Sequence, residues 1–260
     1  MSDFIQWPCA QYWDKPWNPV VGCKPVSPAC ENCYAAAWAR RFGQLFTPHA
    51  TMQRPPRKGV VFCGNMTDLF GEWVDDSDVN DNIASTLGYS HKAIYLWLTK
   101  RVARMCNALS HGRALLKDDT PEGVDLFPFR DCEMRNQYFG FTAENQEWYD
   151  NRRVKFHEAP EWVNGWVSCE PLLGAINIFH FSDRPLPYKW LVVGCESGPK
   201  RRPCKIEWVE SIVEQCMAAD VPVFVKQLDI NGRCVTDINK FPAHLRIRQV
   251  PWATTGGGVE

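Results

Sequence analysis

The chain has 260 residues, of which 45% are hydrophobic and 23% charged, a composition that fits one large globular domain or two small ones. Its 29 basic and 30 acidic residues leave a net charge of −1, which excludes a global field for nucleic acid or membrane and leaves only local basic patches. No stretch approaches the roughly 18–20 apolar residues of a membrane span, and MSDFIQWPCAQYW lacks the charged start and apolar run of a signal peptide, so no membrane partner and a cytoplasmic location are expected.

Residues 1–16 are expected as an N-terminal extension. The run NPVVGC, ending at Cys23, opens a series of short apolar runs that stop abruptly at polar residues. GVVFCGNMTD, AIYLWLTKR, YFGFTAEN, GWVSCEP, KWLVVGCESG and VPVFVKQ follow in order. Such runs, rich in β-branched and aromatic residues, predict buried strands. Helices are predicted between them. These are the alanine-rich ENCYAAAWARRFGQ, residues 77–87 behind acidic capping residues, the segments after LTKR and TAEN, and IEWVESIVEQCMAAD with its helical apolar spacing. TTGGG marks residues 251–260 as a flexible tail, and the whole is read as a single domain.

Alternating buried strands and helices predict an α/β fold with a parallel sheet covered by helices. About seven strand–helix units suggest a full or partial (β/α) barrel, with a doubly wound open sheet as the alternative. In either fold functional groups collect at the carboxyl ends of the strands. The sequence places Asn65, Asp68, Thr99, Lys100, Arg101, Thr142, Glu144, Ser168, Glu170, Glu196, Ser197, Lys226 and Gln227 there. Any one of them is also explained as a solvated loop residue.

Twelve cysteines would suggest disulfides in a small secreted chain, which this is not. Cys63, Cys169 and Cys195 end apolar runs and read as small core hydrophobes. Cys23, Cys30 and Cys33 are different, because WNPVVGCKPVSPACENCY packs them as Cys-x6-Cys-x2-Cys in a loop kept from helix by Pro16, Pro19, Pro25 and Pro28. Structural zinc needs a fourth ligand, either Cys9 or a distant cysteine. A four-iron cluster on three thiolates would instead leave one iron open to a ligand such as S-adenosylmethionine. Ordinary thiols are the third reading.

GCESGPKRRPCK joins glycines and Ser197 to Lys200, Arg201, Arg202 and Lys205, a pattern that suits an anion or nucleic acid and equally a solvated surface run. Lys100, Arg101 and Arg104 add charge near another strand end, and Arg54, Arg57 and Lys58 form a further group.

WNPVVGCKPVSPACENCYA, NMTDLF, LTKR, TAENQ, SCEPLLG, VVGCESGP and VFVKQ, in this order from about residue 17 to 228, together resemble the three-cysteine-motif proteins of bacteriophages and bacteria. That family is similar to a divergent branch of the radical S-adenosylmethionine superfamily. The resemblance implies a radical SAM-like barrel, with a 4Fe-4S cluster on Cys23, Cys30 and Cys33 and S-adenosylmethionine as cofactor. It implies reduction by an external electron donor and formation of a 5′-deoxyadenosyl radical. Asn65 and Asp68 would meet the cofactor ammonium, with Thr142, Glu144, Ser168, Glu170 and Glu196 as further cofactor contacts. Lys100, Arg101, Lys200, Arg201, Arg202, Lys226 and Gln227 would face the substrate, and no residue is nominated as catalytic.

The substrate implied is modified thymidine, in DNA or as a nucleotide. The specific reaction is isomerisation of an N-linked aminoacyl thymidine to its Cα-linked form, in the host cytoplasm for a phage-encoded chain. The commonest superfamily motif has three residues between its first two cysteines and an aromatic residue before the third. Here six residues intervene, Asn32 precedes Cys33 and Tyr34 follows it. Two alternatives are a zinc-stabilised, non-catalytic nucleic-acid-binding protein and a radical enzyme acting on a peptide or small molecule.

Overall fold

A computed structural model describes residues 4–89, 91–118, 134–180 and 186–252. In chain order these form β1 (Ile5–Gln6), β2 (Lys15–Trp17), β3 (Val20–Val21), α1 (Tyr34–Arg41), β4 (His49–Ala50), β5 (Gly59–Cys63), α2 (Asp76–Leu87) and β6 (Ala93–Thr99). They continue with α3 (Val102–Asp118), β7 (Gln137–Thr142), α4 (Gln146–Phe156), β8 (Asn164–Cys169), β9 (Leu191–Gly194), α5 (Ile206–Ala218), β10 (Val223–Ile230), β11 (Arg233–Val235) and β12 (Gln249–Val250).

Eight of these strands form one sheet in the order β11-β10-β9-β8-β7-β6-β5-β2, parallel throughout except for the β10–β11 hairpin. The parallel strands follow chain order without reversal, so the crossovers stay on one face, as in a barrel and unlike a doubly wound sheet. The sheet curls into a half-barrel flanked by helices, and no pair joins β2 to β11 among the described residues. The barrel is therefore partial.

The period-two pleat explains why these runs are apolar throughout. On β6, Tyr95 and Trp97 point to the convex face and pack with Val79 and Ile83 of α2 and Met105 of α3. Ile94 and Leu96 point to the concave face, where Tyr12, Phe62, Trp166, Trp190, Phe224 and Trp252 form an aromatic floor. Ring centroids there lie 4.9 Å apart for Trp190–Trp252 and 5.3 Å for Tyr12–Trp190, in edge-on contacts. Two of the floor's indoles are satisfied by backbone: Trp166 Nε1 donates to the Trp97 carbonyl at 3.0 Å and Trp190 Nε1 to that of Gln249 at 2.9 Å. Gly140 leaves the space Trp166 occupies, since a Cβ there would lie 2.5 Å from the indole.

The chain ends depart from expectation. Within residues 1–16, β1 pairs antiparallel with β12, Tyr12 enters the floor and Lys15–Pro16 begin the edge strand β2. The strand expected at NPVVGC is not the one that joins the sheet, which lies just before it. Lys15–Trp17 pairs with β5, while Val20–Val21 leaves the sheet to pair with His49–Ala50. Pro19 has no amide for a ladder, and Gly22, at φ +89°, turns the chain against the Thr47 backbone, where a Cβ would fall within 2.4 Å. Trp252, in the segment expected as a tail, is buried in the floor; residues 253–260 lie outside the described residues. No helix among the described residues is long and apolar enough to cross a membrane.

Candidate functional site

Above the aromatic floor, at the carboxyl ends of the parallel strands, lies a cavity of about 480 Å³. The strand alternation that supplies the floor supplies its wall one or two steps further on. Leu98 follows Leu96, Ser168 and Glu170 follow Trp166, and Lys226 follows Phe224, while Thr142 ends β7 two steps after Gly140. The loop after β3 closes the opposite side and brings Cys23, Cys30 and Cys33 onto the same cavity.

The cysteine loop is locally constrained. Pro28–Cys30 forms a 3-10 turn, the Cys33 amide donates to the Cys30 carbonyl at 3.3 Å, and α1 starts directly after Cys33. Cys30 Sγ accepts the Val26 amide at 3.5 Å and stands 3.9 Å from the Ser27 hydroxyl. Burial disfavours the Cys30 thiolate, but the Lys100 ammonium, the Val26 and Ser27 amides and the Ser27 hydroxyl outweigh it and lower the thiol below its ordinary value. Cys23 is opposite: burial first, then Asp68, push it up to about 11. A metal taken up at Cys23 would therefore displace a proton.

Among the described residues, no group of three or more His, Cys, Asp or Glu side chains is gathered to hold a metal ion. Cys9, the nearby candidate for a fourth zinc ligand, is exposed, donates to the Gln11 carbonyl and does not line the cavity.

Asn65, Asp68, Thr142, Ser168, Glu170 and Glu196 all line the cavity, but their hydrogen-bonding capacity differs sharply. Asp68 Oδ1 accepts the Thr99 hydroxyl at 2.7 Å and the Phe70 amide at 3.1 Å; Oδ2 accepts the Lys100 amide at 3.1 Å and Arg101 Nη1 at 3.0 Å. Glu196 Oε2 accepts Asn32 Nδ2, the Arg202 amide and Arg202 Nε at 3.1, 2.7 and 3.1 Å, and Oε1 accepts Arg202 Nη2 at 2.5 Å. A carboxylate offers about four acceptor positions, so both groups are saturated by the protein. Thr142 and Ser168 are each 2% exposed, and their hydroxyls have no side-chain partner among the described residues except the cavity they face. Asn65 Oδ1 takes Asn18 Nδ2 at 2.7 Å and its carbonyl takes the Tyr34 hydroxyl, leaving its own amide nitrogen toward the cavity.

The remaining expected residues divide in the same way. Glu144 is completely buried and holds Arg152 Nη1 at 2.6 Å behind the Thr142 strand end, away from the cavity lining. Arg101 lines the cavity but is bound to Asp68 and Glu72 and stacked 4.5 Å over Trp73. Arg201 pairs with Asp229 at 2.9 Å and Arg202 with Glu196, both outside the lining, as is Lys200. Gln227 lies behind the wall, donating to Glu170 at 3.2 Å and to the Cys195 carbonyl at 2.6 Å. The lysines presented to the cavity are Lys24 and Lys100, neither of which has a carboxylate partner among the described residues, and Lys226, which pairs with Glu170.

Sequence reasoning missed Tyr12, Asn32, Phe62 and Leu98 as lining residues. Asn32 carried a signal in its place between Cys30 and Cys33, and Leu98 in the alternation of its strand. Tyr12 carried none, because it arrives from a segment without apolar periodicity.

Neither a curated protein nor a solved structure matches the chain. Residues 9–240, which carry the cysteine loop, the parallel strands and every lining residue of the cavity, match the family DUF5131, described as a protein of unknown function, and the chain belongs to that family.

Proposed function

We propose that this protein is a radical S-adenosylmethionine enzyme, with Cys23, Cys30 and Cys33 as the thiolate ligands of a 4Fe-4S cluster. The observation that carries the reading is the convergence of all three thiols, from one loop, on a single cavity at the carboxyl ends of the parallel strands. The donor set fits the group, since thiolates are the ligands of such clusters and three of them leave one iron open. A closed zinc site needs a fourth ligand, and Cys9, the nearby candidate, does not line the cavity.

Held by Cys23, Cys30 and Cys33 and reduced by an external donor, such a cluster would supply the one electron for reductive cleavage of S-adenosylmethionine to methionine and a 5′-deoxyadenosyl radical. The chain contributes binding, orientation and exclusion of water. Thr142, Ser168 and the Asn65 amide offer hydrogen bonds to ribose and methionine groups, while Phe62, Leu98 and the Tyr12 ring give an apolar surface on which an adenine or a substrate base would lie. Lys24, Lys100 and Lys226 are the lysines that would meet an anionic or carboxylate group.

The proposed substrate is modified thymidine, in DNA or as nucleotide, with isomerisation of an aminoacyl substituent from nitrogen to Cα attachment. This part rests on the sequence resemblance, and a cavity of about 480 Å³ is compatible with a nucleoside-sized group. Anaerobic reconstitution with ferrous iron and sulfide tests the cofactor reading. The protein should take up iron and sulfide, and Cys30→Ala should not retain the cluster. One tightly held zinc with no iron uptake would sink it. Nucleoside mass spectrometry with carbon connectivity tests the substrate, because isomerisation leaves mass unchanged.

A further inference from the structure

One residue of the basic run expected to meet phosphate, Arg202, is turned onto the cysteine loop. Arg202 Nη1 donates to the Pro28 carbonyl at 3.0 Å and to Glu31 Oε2 at 3.2 Å, while its other nitrogens occupy Glu196. Asn32, between two of the cysteines, donates to the same Glu196 at 3.1 Å and to the Lys200 carbonyl at 2.9 Å. The stretch from Pro28 to Asn32, which contains Cys30 and borders Cys33, is thereby tied to the loop after β9.

The front of the cysteine loop is tied by a second arginine. Arg101 Nη2 donates to the Lys24 carbonyl, next to Cys23, at 3.0 Å, with Asp68 and Glu72 holding its remaining nitrogens. The Thr67 hydroxyl donates to the Gly22 carbonyl at 2.7 Å and the Gly22 amide to the Met66 carbonyl at 3.2 Å, which fixes the residue before Cys23. The two devices are alike. In each, a carboxylate held by several protein donors holds an arginine, and that arginine reaches a carbonyl of the cysteine loop: Lys24, which accepts no backbone amide among the described residues, and Pro28, which Arg202 shares with the Glu31 amide of the 3-10 turn.

We infer that Arg202–Glu196 and Arg101–Asp68 are paired clamps that preorganise the cysteine loop, with Arg202 a positioning residue for Cys30 and Cys33 and Arg101 for Cys23. This deepens the proposed function and, as far as the cluster is concerned, rests on it. It also reassigns Asp68, Glu196, Arg101 and Arg202 from ligand contacts to struts. Arg202 holds Glu196 through two nitrogens, and Arg101 makes one bond to Asp68 and two to Glu72; such charge-assisted contacts are geometrically specific, which suits a loop whose thiols must hold one arrangement before a metal arrives.

The test is segment-resolved hydrogen exchange on the full, metal-free chain, followed by iron loss to a chelator after anaerobic reconstitution. Arg202→Ala should raise exchange of amides in residues 28–33 by about tenfold or more, in line with local opening once charged hydrogen bonds are lost. The core strands should be unchanged, and Arg202→Lys should fall between. Arg101→Gln should loosen residues 22–26 instead, and both variants should lose iron faster than wild type. Lys200→Ala should be silent, because Lys200 contributes only its carbonyl.

Unchanged exchange in residues 28–33 for Arg202→Ala would overturn the clamp. So would an equal rise for Lys200→Ala, or a loss of duplex DNA binding with the loop undisturbed. If wild type takes up no iron, the cofactor reading falls while the exchange comparison still decides the clamp.

Discussion

Lys226 donates to both carboxylate oxygens of Glu170, at 2.7 and 2.9 Å, and so ties the middle of β10 to the end of β8 at the cavity wall. The side chains are 25% and 16% exposed, which leaves the pair only partly screened. Lys226→Ala would leave Glu170 with the Gln227 amide as its donor among the described residues. The expected cost is about 1–2 kcal/mol in urea unfolding, with Lys226→Arg recovering most of it. An alanine variant as stable as wild type would show that the pair is screened as a surface bridge is.

Gly140 is the point where the floor has no slack. A Cβ would lie 2.5 Å from the Trp166 ring and 2.6 Å from the Trp166 carbonyl oxygen, and the second contact is with backbone that cannot rotate away. Gly140→Ala should destabilise the protein by about 1–3 kcal/mol or more and perturb tryptophan fluorescence. Unchanged unfolding would mean that strands β7 and β8 can separate without cost.

Glu144 and Arg152 form the most deeply buried ion pair described, with side chains 0% and 3% exposed. Removing one partner of such a pair leaves an uncompensated charge, so Arg152→Ala should cost about 3–5 kcal/mol. Replacing both, as Glu144→Leu with Arg152→Met, should cost clearly less. A double-mutant cycle in denaturant checks this, and additive losses would contradict it.

Glu196 carries a pH signature. Burial tends to raise its pKa, but the Arg202 side chain, the Arg202 amide and Asn32 outweigh burial and hold it below the ordinary carboxylate value. A lowered folded-state pKa contributes stability that is complete above the unfolded value, about 4.3, and is lost as pH falls through the folded value. The stability gap between wild type and Glu196→Gln should therefore be constant near neutrality and narrow below about pH 4. A gap that widens on acidification would contradict the assignment.

The central strands were legible because they are covered on both faces, so each reads as an unbroken apolar run with a polar end. The edge was not. Lys15–Trp17 includes Pro16, which an edge strand tolerates, while the more strand-like Val20–Val21 is diverted by Gly22 into a separate ribbon. The pairing of β1 with β12 joins two-residue segments from opposite ends of the chain, and no local pattern announces it.

At the site, the three cysteines and the strand-end polar residues were legible by position. Their hydrogen-bond state was not. Asp68 reads as an open acceptor until Thr99 and Arg101 are brought to it, and Glu196 until Asn32 arrives from a segment 164 residues away. Thr142 and Ser168, chemically plainer in sequence, are the groups left facing the cavity.

The most direct test of the central claim is the appearance of 5′-deoxyadenosine when the anaerobically reconstituted, reduced protein is given S-adenosylmethionine. Wild type should produce it, and Cys30→Ala should lose cluster and product together. Full product formation by Cys30→Ala, or none from wild type carrying an intact reducible cluster, would contradict the account.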